Sequence, residues 1–107
     1  MTHESDELLT ALALRRLVER YALAVDTGDG ALFAQQFTAD GVLDAPRGRF
    51  VGHDALRTVL PMMRERYAKT FHAVLNFVPT ISGDTAAAET YAIALHFFRD
   101  EIGRAHV

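Results

Sequence analysis

The sequence predicts an α+β domain, with helices gathered on one face of an antiparallel sheet. Two observations carry this. Apolar residues recur at three- and four-residue steps over 14–25 and again over 56–67, whereas residues 70–81 and 85–98 are rich in β-branched and aromatic types. Ser82-Gly83-Asp84 between those two stretches is a turn signal, so they read as one long antiparallel hairpin.

The first helix is placed at about 6–27. Ser5 can cap it, Asp6 and Glu7 sit where the helix dipole favours negative charge, and Leu14, Leu17, Val18, Tyr21 and Val25 form one apolar stripe. Gly28 is the stop signal. Asp29 then caps a second helix at about 30–37, carrying Phe33 and Phe37. Gly41 opens a short strand, Val42-Leu43-Asp44-Ala45; Pro46-Arg47-Gly48-Arg49 reads as a turn and Phe50-Val51 as the returning strand. After Gly52 a third helix carries Leu56, Val59, Leu60, Met63 and Tyr67 on one face. Pro61 inside it removes a hydrogen bond and should kink or restart it.

Composition narrows the function. The 107 residues fit one domain, 50% hydrophobic and 23% charged, as in ordinary soluble proteins. With 11 Lys+Arg against 14 Asp+Glu, a net charge of -3 and no basic stripe, nucleic acid has little to hold. The absence of cysteine excludes disulfides, thiolate catalysis and cysteine-bound zinc. The acidic start, Met1 to Glu7, lacks the order of a signal peptide, and no apolar run approaches the ~20 residues that cross a bilayer. The expectation is a cytoplasmic protein with no membrane partner.

In the last strand, Ala86, Ala88, Thr90, Ala92, Ala94 and His96 alternate with Glu89, Tyr91, Ile93, Leu95 and Phe97. The small face leaves room for close helix packing or for a cavity. The bulky face needs cover, and a second copy of the chain is the natural candidate, giving a homo-oligomer, dimer or trimer.

Arg20-Tyr21-Ala22-Leu23-Ala24-Val25-Asp26-Thr27-Gly28-Asp29 and Phe37-Thr38-Ala39-Asp40-Gly41 carry a resemblance. With Gly48, Gly52, Thr70-Phe71-His72 and Gly83-Asp84, they make residues 8–98 look like the nuclear-transport-factor-2-like (SnoaL-like) superfamily. The resemblance implies a cone-shaped fold, a bent antiparallel sheet wrapped by three helices around a pocket. Members carry two more strands after the one ending near Phe98. Here Gly103-Arg104-Ala105-His106-Val107 looks like the turn and first residues of the next strand. The chain is therefore expected to be a fragment or truncated form, or to have its sheet completed by another chain.

Within that superfamily the chain is most similar to the scytalone dehydratase and bile-acid dehydratase branch. By alignment of the motifs, Asp26, His72 and His96 fall on the positions of its catalytic aspartate and two histidines, and Tyr21 on the tyrosine of the bile-acid enzymes. The resemblance implies a cofactor-independent dehydratase or hydratase acting on a small cyclic, polyketide-like or steroid-like molecule. An isomerase or cyclase using the same enolate chemistry, or a small-ligand-binding domain without turnover, remains open. The chemistry suits the residues: histidine exchanges protons near neutrality, and a carboxylate on its far nitrogen fixes the tautomer. The steroid isomerase reading fails at its base, since Ala45 precedes Pro46 and Asp44 should face away. The paired acids and arginine of limonene-epoxide hydrolases have no match. Two histidines and a carboxylate also form a non-haem iron ligand set, but without a local signature, and no metal is expected.

The hairpin decides whether two histidines can share a pocket. A three-residue loop, Gly83-Asp84-Thr85, would set His72 opposite His96 and bring Val74 and Asn76, the expected substrate-binding residues, to the same face. A two-residue loop would put the histidines on opposite faces. His3, His53 and His106 read as solvent-exposed, and Asp29, Asp40 and Asp84 as caps and turn residues.

Overall fold

In the computed structural model, which describes residues 2–99 and the backbone of Ala105–His106, the first helix begins earlier than its apolar stripe. Helix α1 spans His3–Thr27. Thr2, not Ser5, caps it, its hydroxyl accepting the Ser5 N–H at 3.1 Å. Gly28 ends α1 in the left-handed conformation (φ 72°), where a side chain would be strained and would collide with the Arg64 guanidinium. The Asp29 carboxylate accepts the Leu32 N–H at 3.0 Å and caps α2, Gly30–Gln35.

Strands β1 (Val42–Ala45) and β2 (Gly48–Val51) pair antiparallel, with Asp44 opposite Arg49. The third predicted helix is two pieces, α3 (Gly52–Leu56) and α4 (Val59–Arg66). Pro61 explains the restart. It stands in the first turn of α4, where backbone N–H groups have no helical partner to lose. Tyr67 leaves the helix stripe altogether and begins the next strand. Strand β3 (Tyr67–Ser82) pairs antiparallel with β4 (Thr85–Phe98), and β5 (Ala105–His106) pairs with β4, in the order β3-β4-β5. The remaining residues of the segment 103–107 lie outside the described residues.

The core is helical. Ala24, Val25, Phe33, Leu56, Val59 and Leu60 are buried together, with Tyr21, Phe37, Leu43 and Phe50 packed against them. Alternation along β4 produces no such burial: residues 85–93 are exposed on both faces. The helices do not cover the alanine row.

The register of β3 on β4 changes partway along. A two-residue turn, Gly83-Asp84, pairs Ser82 with Thr85 and Ile81 with Ala86. Gly83 has φ 59°, the conformation that the first position of a type II′ turn requires. Continued without interruption, that register would pair His72 with Leu95. Instead, a bulge between Val74 and Phe77 shifts the pairing by one, so Val74 faces Ala92 and His72 faces Ala94. The two-residue loop therefore does not separate the histidines. Nor do they stand directly opposite: His96 pairs with Thr70, two residues from His72 on the diagonal.

Candidate active site

The last turn of α1 delivers Asp26 to the edge of β3. Its carboxylate accepts three hydrogen bonds: from the Thr70 hydroxyl (2.9 Å), from the backbone N–H of His72 (2.9 Å) and from His72 Nδ1 (2.6 Å). An edge strand leaves N–H groups unpaired, and Asp26 takes up one of them. The α1 dipole alone disfavours a carboxylate at this end, so the three donors supply what the helix does not. With side chains only 22% and 18% exposed, Asp26 and His72 form a largely desolvated pair. An ionised carboxylate can only accept, so Nδ1 carries the hydrogen. Nε2 is left as the nitrogen that can take a proton.

His96 meets this pair from β4. Its ring centroid lies 5.9 Å from that of His72, with the rings nearly perpendicular (86°). The Tyr67 ring lies 4.8 Å from His96, and the Arg66 guanidinium lies over Tyr67. Asp26, His72 and His96 are thus together on one face of the sheet, at the base of the hairpin.

Tyr21 is placed differently. Five residues before Asp26, it projects about 140° away around the α1 axis. Its ring packs against Phe33 and Phe37, with centroids 5.3 and 6.1 Å away. Among the described residues no hydrogen bond joins it to Asp26 or His72. Burial pushes its phenol pKa up from 10.0. Val74 lies half-buried on the histidine face, opposite Ala92. Asn76 falls in the bulge and is exposed, outside the alternation that was expected to bring it to that face.

His53 is not exposed: it is half-buried and its Nε2 lies 2.9 Å from the Phe37 carbonyl. His3 is exposed and pairs with Glu7, and the side chain of His106 lies outside the described residues. Asp29 caps, Asp40 accepts the Thr38 hydroxyl, and Asp44 is an exposed partner of Arg49. A hollow of about 590 Å³ opens between Glu4, Glu7, Leu8, Pro79 and Ile81. Another, of about 360 Å³, lies against Lys69, Phe71, Leu95 and Phe97 on the opposite sheet face. Neither is lined by His72 or His96. Among the described residues, no three His, Cys, Asp or Glu side chains are grouped to hold a metal ion, and no helix is long and apolar enough to cross a membrane.

Sequence reasoning missed Thr70, Tyr67 and Arg15. Thr70 was visible only as part of a motif, two residues before His72 and therefore on its face. Tyr67 was hidden by being assigned to a helix. Arg15 donates to the carbonyls of Val74 (3.1 Å) and Leu75 at the bulge, and no pattern in the sequence announces a bulge there.

The profile of the SnoaL-like domain matches residues 6–107. No curated protein matches the chain in sequence. Among solved structures, a Novosphingobium aromaticivorans protein provisionally named an aromatic ring hydroxylase is 33% identical, over 89% of this chain and 68% of its own, with a TM-score of 0.81. A protein of the same organism, provisionally named a scytalone dehydratase, is 22% identical over 92% and 67%, with a TM-score of 0.83. A hexachlorocyclohexane dehydrochlorinase from Novosphingobium barchaimii is 16% identical over 91% and 68%, also at 0.83. At those identities the last two share the fold.

Proposed function

For a chain that belongs to the SnoaL-like domain family, with residues 6–107 matching its profile, we propose a cofactor-independent lyase that adds or removes water beside a carbonyl. One observation carries the reading: a carboxylate-backed histidine with a second histidine 5.9 Å away on the same sheet face. Two structurally similar proteins are named for eliminations, one of water and one of hydrogen chloride.

His72 Nε2 takes the proton α to the carbonyl, and the C–H electron pair becomes an enolate. Asp26 favours the imidazolium so formed. As the enolate collapses, the Cα=Cβ bond forms and the Cβ–O bond breaks. His96 gives its proton to the departing hydroxyl, which leaves as water. Two rings at this spacing can reach adjacent carbons of one substrate. Tyr21 is the candidate donor to the enolate oxygen. Its packing against Phe33 and Phe37 requires the substrate to reach toward α2 for that role. The substrate class is a compact cyclic ketone of polyketide-like or steroid-like shape, with Val74, on the histidine face, as the candidate contact. Protonation of the same enolate elsewhere, without loss of water, would make the protein an isomerase.

The test uses a panel of cyclic β-hydroxy ketones in D₂O, followed by proton NMR and enone absorbance. The expected result is α-deuteration and enone formation. His72→Ala should lower the rate ~10²–10⁴-fold, and Asp26→Asn should lower it and shift its pH profile. Chelators should change nothing. A folded His72→Ala at full rate overturns the mechanism, and loss of activity on chelation favours a metal site. Absence of exchange with every ketone favours a ligand-binding domain.

A homo-oligomer belongs to the same reading. The chain exposes 7479 Å², against the roughly 5,900 Å² expected of a compact monomer of its mass. Phe71, Leu75, Tyr91 and Ile93 contribute to the excess at 52%, 41%, 61% and 46% exposure.

A further inference from the structure

The bulge in β3 deserves a cause. The turn at Gly83-Asp84 imposes a register in which His72 would face Leu95 and turn to the other side of the sheet. Everything between Phe77 and Ser82 obeys that register, and everything from Val74 back to Lys69 is one residue out of it. The two histidines share a face only because Leu75 and Asn76 together span the place of one residue. A bulge is not pinned by its own hydrogen bonds. It leaves backbone groups unpaired, and sliding it along the strand costs little unless something holds them. Were it to slide past His72 toward Thr70, His72 would change faces and His96 would not.

One side chain holds it. Arg15 of α1 sends one guanidinium nitrogen to the Leu75 carbonyl and the other to the Val74 carbonyl (3.1 Å). The planar fork of arginine suits two adjacent acceptors, and lysine offers only a point charge. Arg15 and Asp26 are eleven residues apart, about three helical turns, so they leave α1 within about 20° of one direction. The same helix face therefore grips β3 twice, at the bulge and at His72.

We propose that Arg15 is a positioning residue that locks the Leu75–Asn76 bulge in place and so keeps His72 and His96 on one face of the sheet. The register lock stands on geometry alone; its value for turnover rests on the lyase reading above.

The test reads register rather than activity. In isotope-labelled wild-type protein, cross-strand backbone NOEs should connect Val74 with Ala92 and His72 with Ala94, and a ring NOE should connect His72 with His96. In Arg15→Ala these should fall by at least half and be replaced in part by Val74–Ile93 and His72–Leu95 contacts. The Ile81–Ala86 and Ser82–Thr85 contacts next to the turn should persist. Arg15→Lys should recover only part of the native pattern. Full retention of the native NOEs in Arg15→Ala overturns the inference. Should Arg15→Ala fail to fold, deletion of Asn76 decides, because it removes the bulge while keeping His72 opposite Ala94. In that background Arg15→Ala should leave the fold and the NOEs intact; if it unfolds the chain there too, Arg15 acts elsewhere and the lock is refuted. A slipped register in Arg15→Ala together with a wild-type protein inert toward every ketone would sink the lyase and leave the lock standing.

Discussion

The two ends of the long hairpin obey different authorities. At the tip, residues 77–90 follow the turn: Gly83 sets the register, the pairs run without a break, and both faces of β4 are open to solvent. At the base, residues 67–74 and 92–98 follow the helices: Asp26 and Arg15 grip β3, and Ala94 to Phe98 are half-buried. The candidate site lies wholly at the base. A local signal is enough to start a hairpin, but the side on which its histidines fall is decided by contacts from 46 to 60 residues away in sequence.

The comparison breaks most visibly at the core beneath the base. Phe33 is fully buried between Tyr21 and Phe37, so Phe33→Ala should cost about 3–5 kcal/mol. A shift of the denaturation midpoint worth less than ~1 kcal/mol would mean that this end is no better packed than the tip.

Alkaline pH sharpens the same contrast. Burial raises the Tyr21 pKa above 10.0 in the folded chain, so the unfolded state loses that proton first and stability falls as pH rises through the interval. Tyr21→Phe should remove that part of the decline in melting temperature above pH ~10 and change little at neutral pH. An identical alkaline decline in both proteins would show that the phenol is solvated.

The smallest effect belongs to the outer face. Ile93 is 46% exposed, and Ile93→Ser should alter the stability of one chain by no more than ~0.5 kcal/mol. If a second copy covers this face, the substitution should instead shift light scattering toward monomer. Wild-type protein that is monomeric at micromolar concentration would remove the oligomer from the proposal.

Turn and cap residues made most of the elements legible. Gly28, Asp29, Gly41 and Gly83 each stand where a chain reversal or helix end occurs, because these positions need a conformation or an acceptor that few residues supply. Ser5 misled because Thr2 offers the same hydroxyl one turn earlier, and Tyr67 misled because the stripe of Leu56, Val59, Leu60 and Met63 points to it in phase although α4 ends one residue before it, at Arg66. Asp26 and His72 were legible through the resemblance. Their contact depends on Thr70 and on an edge N–H, which no spacing along one strand could reveal. The bulge was illegible for a general reason. Alternation reports which residues share a face within a strand, and an extra residue resets that count without leaving a mark in composition.

The hairpin consequently has a reading frame of one residue. Adding one residue to β3 between Phe77 and Ser82, or one to β4 between Thr85 and Tyr91, would exchange the faces of everything beyond it, and the site would come apart while the strands still paired. Adding one residue to each strand would lengthen the arm and leave His72 and His96 in phase. Natural variation in the length of this arm should therefore come in matched steps on the two strands, unless the bulge itself is gained or lost to absorb a single step. A library of random one- and two-residue insertions within one strand of the arm should accordingly divide by parity rather than by distance from the turn, single insertions separating the histidines and double insertions keeping them on one face.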